Sequence, residues 1–245
     1  MGEENKGNIQ PKVALIVPVY NDEDYLRVCL DSIRKQTTDF WEAWLIDDCS
    51  ADSSAEIIRE YCEADSRFHY LHNQVNSSAW VSRAKGIMAV SESVQYIMFA
   101  DADDSLQPNA VARAYELMQK EPVDILHFGT NVENIANISQ KRIQGYTAYL
   151  QPELARLQGR EIFDSFVRRS FEGHLWNKMF KVELLQDVIR DLGVERVLPK
   201  AQDKVLYWAA CWQWENLTYR GVADRLYNYN YGQGVEGGQN TLTLE

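Results

Sequence analysis

Four times within residues 12–120, a short and almost unbroken apolar run gives way to a segment whose apolar residues recur every three or four positions. "KVALIVPVY" (12–20) is followed by "NDEDYLRVCLDSIRKQ" (21–36), where Leu26, Cys29, Leu30 and Ile33 fall at i, i+3, i+4 and i+7. Runs of the first kind read as strands buried on both faces. Segments of the second kind read as helices with one apolar stripe. The pattern repeats as "EAWLIDD" (42–48) with 53–64, "FHYLHN" (68–73) with 80–92, and "VQYIMFAD" (94–101) with 108–120. "VDILHFGTNVEN" (123–134) reads as a fifth strand. Asn21 with Asp24 predicts a cap for the first helix. Strands that alternate with helices of this length predict an α/β fold, a mostly parallel sheet flanked by helices.

In such sheets ligands sit at the carboxyl ends of the strands. The polar clusters fall there: Tyr20 and Asn21 after strand one, Asp47 and Asp48 after strand two, "DADD" (101–104) after strand four. Periodicity fades over 135–160, which reads as a connection or a β-excursion. Beyond it, 161–171, 178–193 and the aromatic-rich 203–214 predict helices, and "NLTYRGVADRLYNYNY" (216–231) one or two strands.

The acid loop "FADADDSLQP" admits three readings. Asp and Ser suit a plain turn and helix cap. A calcium EF-hand loop fails, because Leu106 stands where the loop needs glycine and Ala112 where it needs glutamate. The third reading is a D-x-D site for Mg²⁺ or Mn²⁺, hard cations that bridge one or two carboxylates to substrate phosphates.

The net charge of −11 argues against nucleic acid and anionic surfaces as partners. The longest apolar run near the start, "VALIVPVY", is far short of a membrane span, which predicts no transmembrane segment. The polar start "MGEENKGNIQPK" carries no apolar core of a secretory signal, so a cytoplasmic chain is expected. Cys29, Cys49, Cys62 and Cys211 lack CxxC spacing and are expected as free thiols. No His–Cys spacing matches a zinc site.

"VALIVPVYNDEDYLRVCLDSIRKQT", "WLIDDCSADSS", "FADADDSLQP" and "WNKMFKVELL" follow one another in the order and spacing of family 2 glycosyltransferases, which this chain resembles over about residues 12–230. The resemblance implies a GT-A fold with a helical C-terminal acceptor-side region. It implies an inverting enzyme that moves a sugar from a nucleotide-diphosphate sugar, usually of uridine, to a glycan or glycolipid hydroxyl. Bacterial surface polysaccharide or glycoconjugate synthesis is the implied setting, with peripheral membrane association compatible.

Carried over by motif, Pro18, Tyr20, Asn21, Asp47 and Asp48 would hold the base and ribose, with Asp101 and Ala102 on the donor's ribose or sugar. Asp103 would bind the metal, and Asp104 would assist it or cap the turn. Arg83 would hold the nucleotide or a phosphate. Trp176, Asn177 and Lys178 would line the acceptor side, and Asp203 would be the base.

The chain departs from the family pattern at Ser78, Ser82 and Ala84, where Gly, Ala and Asn are usual, and at Gln202, where Glu is usual. Those departures keep open an inactive nucleotide-sugar-binding module within a larger synthase. A nucleotidyltransferase is disfavoured, since "VPVYNDEDY" has neither the glycine nor the basic residue of such a loop. The expected organisation is one domain over 12–231, split into a nucleotide-sugar half (12–134) and an acceptor half (135–231), with tails at 1–11 and 232–245.

Overall fold

The computed structural model describes residues 10–169, 172–194, 201–213 and 216–233. Most of the two expected tails therefore lies outside the described residues. Among the described residues nine strands form one mixed sheet, ordered β3-β2-β1-β4-β8-β6-β9-β5 with β7 paired to β9. Strands β1 (Val13–Val19), β2 (Trp41–Asp47), β3 (Phe68–His72) and β4 (Tyr96–Phe99) are parallel, as the alternation predicts. Their helices are α1 (Leu26–Arg34), α2 (Ser54–Ala64), α3 (Ala79–Ala89) and α4 (Ala110–Lys120).

The pleat of β1 explains its unbroken apolar run. Val13, Leu15, Val17 and Val19 enter one core, shared with Leu30 and Ile33 of α1 and Leu117 and Met118 of α4. Ala14 and Ile16 enter the other, beneath Trp80 and Ala84 of α3. Pro18 pairs with Ile46 but lies beyond the last residue that β1 pairs with β4. Its missing N–H is tolerated at such a place.

The second half departs from expectation. β5 (Ser105–Leu106) precedes α4, and β6 (Ile125–Asn134) follows it. β6 does not join β4, because β8 (Lys178–Lys181) lies between them, antiparallel to both. The segment 178–193, expected as one helix, is thus a strand followed by α7 (Val182–Leu192). Met179 faces one core and Phe180 the other, so two-sided burial outweighs the helical pattern there.

The faded region holds α5 (Gln140–Tyr149) and β7 (Arg156–Gln158), then α6 (Arg160–Arg168). Last come α8 (Gln202–Gln213) and the long strand β9 (Thr218–Tyr231). All four cysteines are free thiols. Among the described residues no helix is long and apolar enough to cross a membrane.

At Gly86, α3 packs directly on β1 and β2. An added Cβ there would stand 2.8 Å from Ile16 Cγ2 and 2.9 Å from Ile46 Cδ1. Gly86→Val is expected to destabilise the fold by about 1–3 kcal/mol through overpacking. A urea midpoint unchanged from wild type would contradict this close approach.

Candidate functional site

The loops after β1 and β2 satisfy each other's backbone. Ser50 Oγ accepts from Asn21 N at 3.0 Å, and Asn21 Oδ1 accepts from Ala51 N at 2.8 Å. Asp52 accepts from Glu23 N, Glu23 from Ser53 N, and Ser54 Oγ from Asp22 N. Asn21 adopts a φ of 55°, a left-handed conformation that asparagine tolerates. It joins loops instead of capping α1, which starts after Tyr25 without a side-chain cap. Tyr20 is left 38% exposed at the rim, open to cover a ring.

Asp47 and Asp48 form the floor of this rim. Asp47 is fully buried; it accepts from Ser50 N and Tyr70 Oη and pairs with His72 Nδ1 at 3.0 Å. Asp48 accepts from Asn73 Nδ2 at 2.7 Å and from the backbone of Ser77 and Ser78. Those N–H groups lie at the entry to α3, where a carboxylate also complements the helix dipole. Asp48 therefore fixes the helix that carries Arg83. Ser82, where alanine was expected, shares Asn73 with it at 3.0 Å.

Arg83 is where the predicted groups meet. Its side chain is 9% exposed, with Nη2 3.0 Å from Asp101 Oδ1 and Nη1 2.7 Å from Asp203 Oδ1. Its Nε is buried without a partner. Burial opposes the charge on Arg83, but Asp203 and Asp101 outweigh it and push its pKa up. Asp203 is the second residue of α8. Burial raises Asp101 to about 6, against the pull of Arg83 and with repulsion from Asp203 and Asp103. Asp22, which sequence reading passed over, is likewise raised to about 6, chiefly by burial, with Asp101 adding repulsion.

The acid loop is pinned from β9. Tyr227 Oη accepts from Asp101 N and donates to Asp104 Oδ2 at 2.9 Å. Asn230 N donates to Asp104 Oδ1, and Asn230 Nδ2 to the Asp103 carbonyl. Asp104 is 1% exposed, and burial, then Asp103 and Asp101, push it well above the carboxylate range. Both Asp104 carboxylate oxygens are thus held by β9, through Tyr227 and Asn230. Ala102 is also buried. Tyr227 and Asn230 were legible only as members of a tyrosine-rich strand.

Trp176, Asn177 and Lys178 correct an expectation. They are 2%, 0% and 0% exposed, so none presents a surface to an acceptor. Trp176 stacks on Tyr227 at 4.7 Å and on Tyr229 at 5.2 Å. Lys178 Nζ lies 3.2 Å from Glu172 Oε1 and donates to the His174 carbonyl and Asn177 Oδ1. This buried network backs the acid loop through Tyr227.

Hard-cation chemistry fits the loop. Asp103 is half-buried beside Asp101, and raised carboxylates are what a divalent cation relieves. Among the described residues no three His, Cys, Asp or Glu side chains are gathered to ligate a metal by themselves. A cation here would complete its shell with oxygens from outside the chain, of water or of a diphosphate.

The family model described as "Glycosyl transferase family 2" matches residues 14–189. A relative from Bacillus subtilis, "Putative glycosyltransferase EpsH", is 29% identical over 89% of this chain and 60% of its own length. The fold is similar to "S. aureus TarS 1-349 in complex with UDP-GlcNAc", with TM-score 0.72 and 20% identity over 93% of this chain and 61% of that one. It is also similar to "Mannosyltransferase PcManGT from Pyrobaculum calidifontis in complex with GDP-Man and Mn2+", with TM-score 0.60 and 14% identity over 90% and 57% of the two chains. The chain thus spans about three fifths of the length of these relatives. With the match covering most of its length and the sheet in place beneath it, the chain belongs to glycosyl transferase family 2.

Proposed function

We propose that this chain transfers a sugar, with inversion, from a UDP-sugar to a hydroxyl of a glycan or lipid-linked acceptor. Surface polysaccharide or glycoconjugate synthesis is the proposed setting. The carrying observation is that one buried guanidinium, Arg83, holds both an aspartate of the donor loop and the candidate base, at 3.0 and 2.7 Å.

Tyr20 would cover the base, Asp47 would accept from base or ribose, and Asp101 and Ala102 would face ribose or sugar. Asp103 would hold Mg²⁺ or Mn²⁺, which when bound offsets the charge of a departing diphosphate. Arg83 would bind a phosphate oxygen through charge-assisted N–H bonds. Asp203 would take the proton of the acceptor hydroxyl. The oxygen's electron pair would then form the new bond to the anomeric carbon, from the face opposite the diphosphate. The old C1–O bond would break with its electrons on UDP.

A thermal-shift series with UDP-sugars, GDP-sugars and Mn²⁺ tests the donor site. Ligand at 100 times its dissociation constant stabilises by about 2.7 kcal/mol. For a chain of this size that is about 5–10 °C in Tm. The expected shift occurs with a UDP-sugar and Mn²⁺ together, and Asp103→Ala loses its Mn²⁺-dependent part. No shift with any nucleotide sugar would sink the proposal.

A further inference from the structure

We propose that the groove between α6 and α8 takes the apolar chain of a lipid-linked acceptor, with Lys204 on the phosphate that follows the chain and Asp203 at the hydroxyl beyond it. This rests on the reading of Asp203 as the base and chooses between the two acceptor classes named above.

Trp208 and Trp212 of α8 are 40% and 63% exposed, and their rings stack at 5.8 Å. Phe163 of α6 meets Trp212 edge-on at 6.0 Å, and Val167, one turn further along α6, is exposed as well. Beside them lies an open groove of about 420 Å³, lined by Phe166, Val205, Trp208 and the stem of Lys204. Apolar atoms alone face into it. The two helices draw together at Gly173, where an added Cβ would stand 3.1 Å from Phe166 Cε2 and 3.1 Å from Lys204 Cα. A groove of this lining disfavours a bare glycan, whose hydroxyls would lose water there and find no partner.

Helix α8 sets the order of the groups. Asp203, Lys204, Val205, Trp208 and Trp212 follow one another along it. Base, cation and apolar surface therefore succeed one another over about 14 Å, at 1.5 Å of rise per residue. A lipid-linked acceptor carries matching groups in the same order: hydroxyl, phosphate, apolar chain. Charge points the same way. Lys204 is exposed and, among the described residues, has no carboxylate partner, whereas Arg160 and Arg168 of α6 are paired to Asp164 and Glu153. Its ammonium is a point charge on a flexible stem, suited to a single phosphate.

Farnesyl phosphate is the probe, titrated by calorimetry below its micelle concentration, with farnesol and inorganic phosphate alongside. The wild-type chain is expected to bind farnesyl phosphate, to bind farnesol about tenfold more weakly for want of the charged contact, and to give no heat with inorganic phosphate. Trp208→Ala is expected to weaken farnesyl phosphate by about tenfold or more, as loss of an aromatic anchor does. Lys204→Gln is expected to bring farnesyl phosphate down to the level of farnesol. Both side chains are exposed, so both variants should keep the wild-type Tm.

Binding that is absent, or that survives undiminished in Trp208→Ala, overturns the inference, while a Tm shift with a UDP-sugar and Mn²⁺ leaves the donor site standing. Equal affinity for farnesol and farnesyl phosphate overturns the role of Lys204 and the order along α8. Self-association that Trp208→Ala abolishes, without farnesyl phosphate binding, would give the groove to a second copy and overturn the acceptor. Farnesyl phosphate bound by a chain that no nucleotide sugar stabilises would leave a lipid site with no donor, which overturns the acceptor role together with the donor site.

Discussion

Asp203→Asn is expected to lower sugar transfer by about 10²–10⁴-fold, the range a positioned general base contributes. Asparagine keeps the size of the side chain and an oxygen facing Arg83, but it cannot take a proton. UDP affinity is expected to stay within a few-fold of wild type, because the loss removes a competitor for Arg83 and no donor contact. Hydrolysis of whichever UDP-sugar raises Tm in the thermal-shift series, with water as acceptor, is the readout. Wild-type turnover in Asp203→Asn would exclude it as the base. A fall in UDP affinity and Tm together would show instead that Asp203 serves as a first-turn residue of α8. The departure at Gln202 bears on the same point. The usual glutamate is missing there, so the proposed base has no carboxylate next to it in the chain.

Why β1 to β4 were legible is clear from their burial. Strands covered on both faces produce unbroken apolar runs, and their helices carry clean stripes, as Leu26, Cys29, Leu30 and Ile33 show. The insertion of β8 between β4 and β6 had no comparable signal. Four residues, "KMFK", with a helix directly behind them, are too few to separate a period of 2 from one of 3.6.

The site shows the same division. Local spacing identified the acid loop and the aspartates after β2, because each cluster is contiguous in sequence. The meeting of Arg83 with Asp203, 120 positions apart, is a product of tertiary folding alone. Sequence reading named both residues and left them unconnected. Lys178 is assigned to the acceptor side by motif alone, and no local pattern in the sequence signals that it is fully buried.

Glu172→Gln is expected to destabilise the fold by about 3–5 kcal/mol, the cost of leaving a buried charge without its partner. Glu172 is 3% exposed and Lys178 0%, with their charged atoms 3.2 Å apart. Burial opposes the charge on Glu172, yet Lys178, with His127 and His174, holds it well below the usual carboxylate range. A carboxylate whose pKa falls on folding stabilises above its unfolded value of 4.5 and loses that stability as pH drops toward the folded value.

Burial also draws Lys178 down from 10.5, and Glu172 partly restores it. Without Glu172 the native chain holds that proton less tightly, while the unfolded chain still binds it. The variant's stability should therefore climb with pH from neutrality toward 10.5 more steeply than the wild type's. Urea titrations at pH 7 and pH 9.5 measure the difference, and parallel pH dependence would contradict it. Replacing the pair together, as Glu172→Leu with Lys178→Met, should recover part of the loss, since it removes both buried charges but leaves the His174 carbonyl and Asn177 Oδ1 without the Lys178 donor. The doubly substituted protein should then retain UDP binding, because this network reaches the donor loop through the rings of Trp176 and Tyr227 and not through its charges. If stability returns and UDP binding does not, the network tunes the acid loop electrostatically as well as holding it from behind.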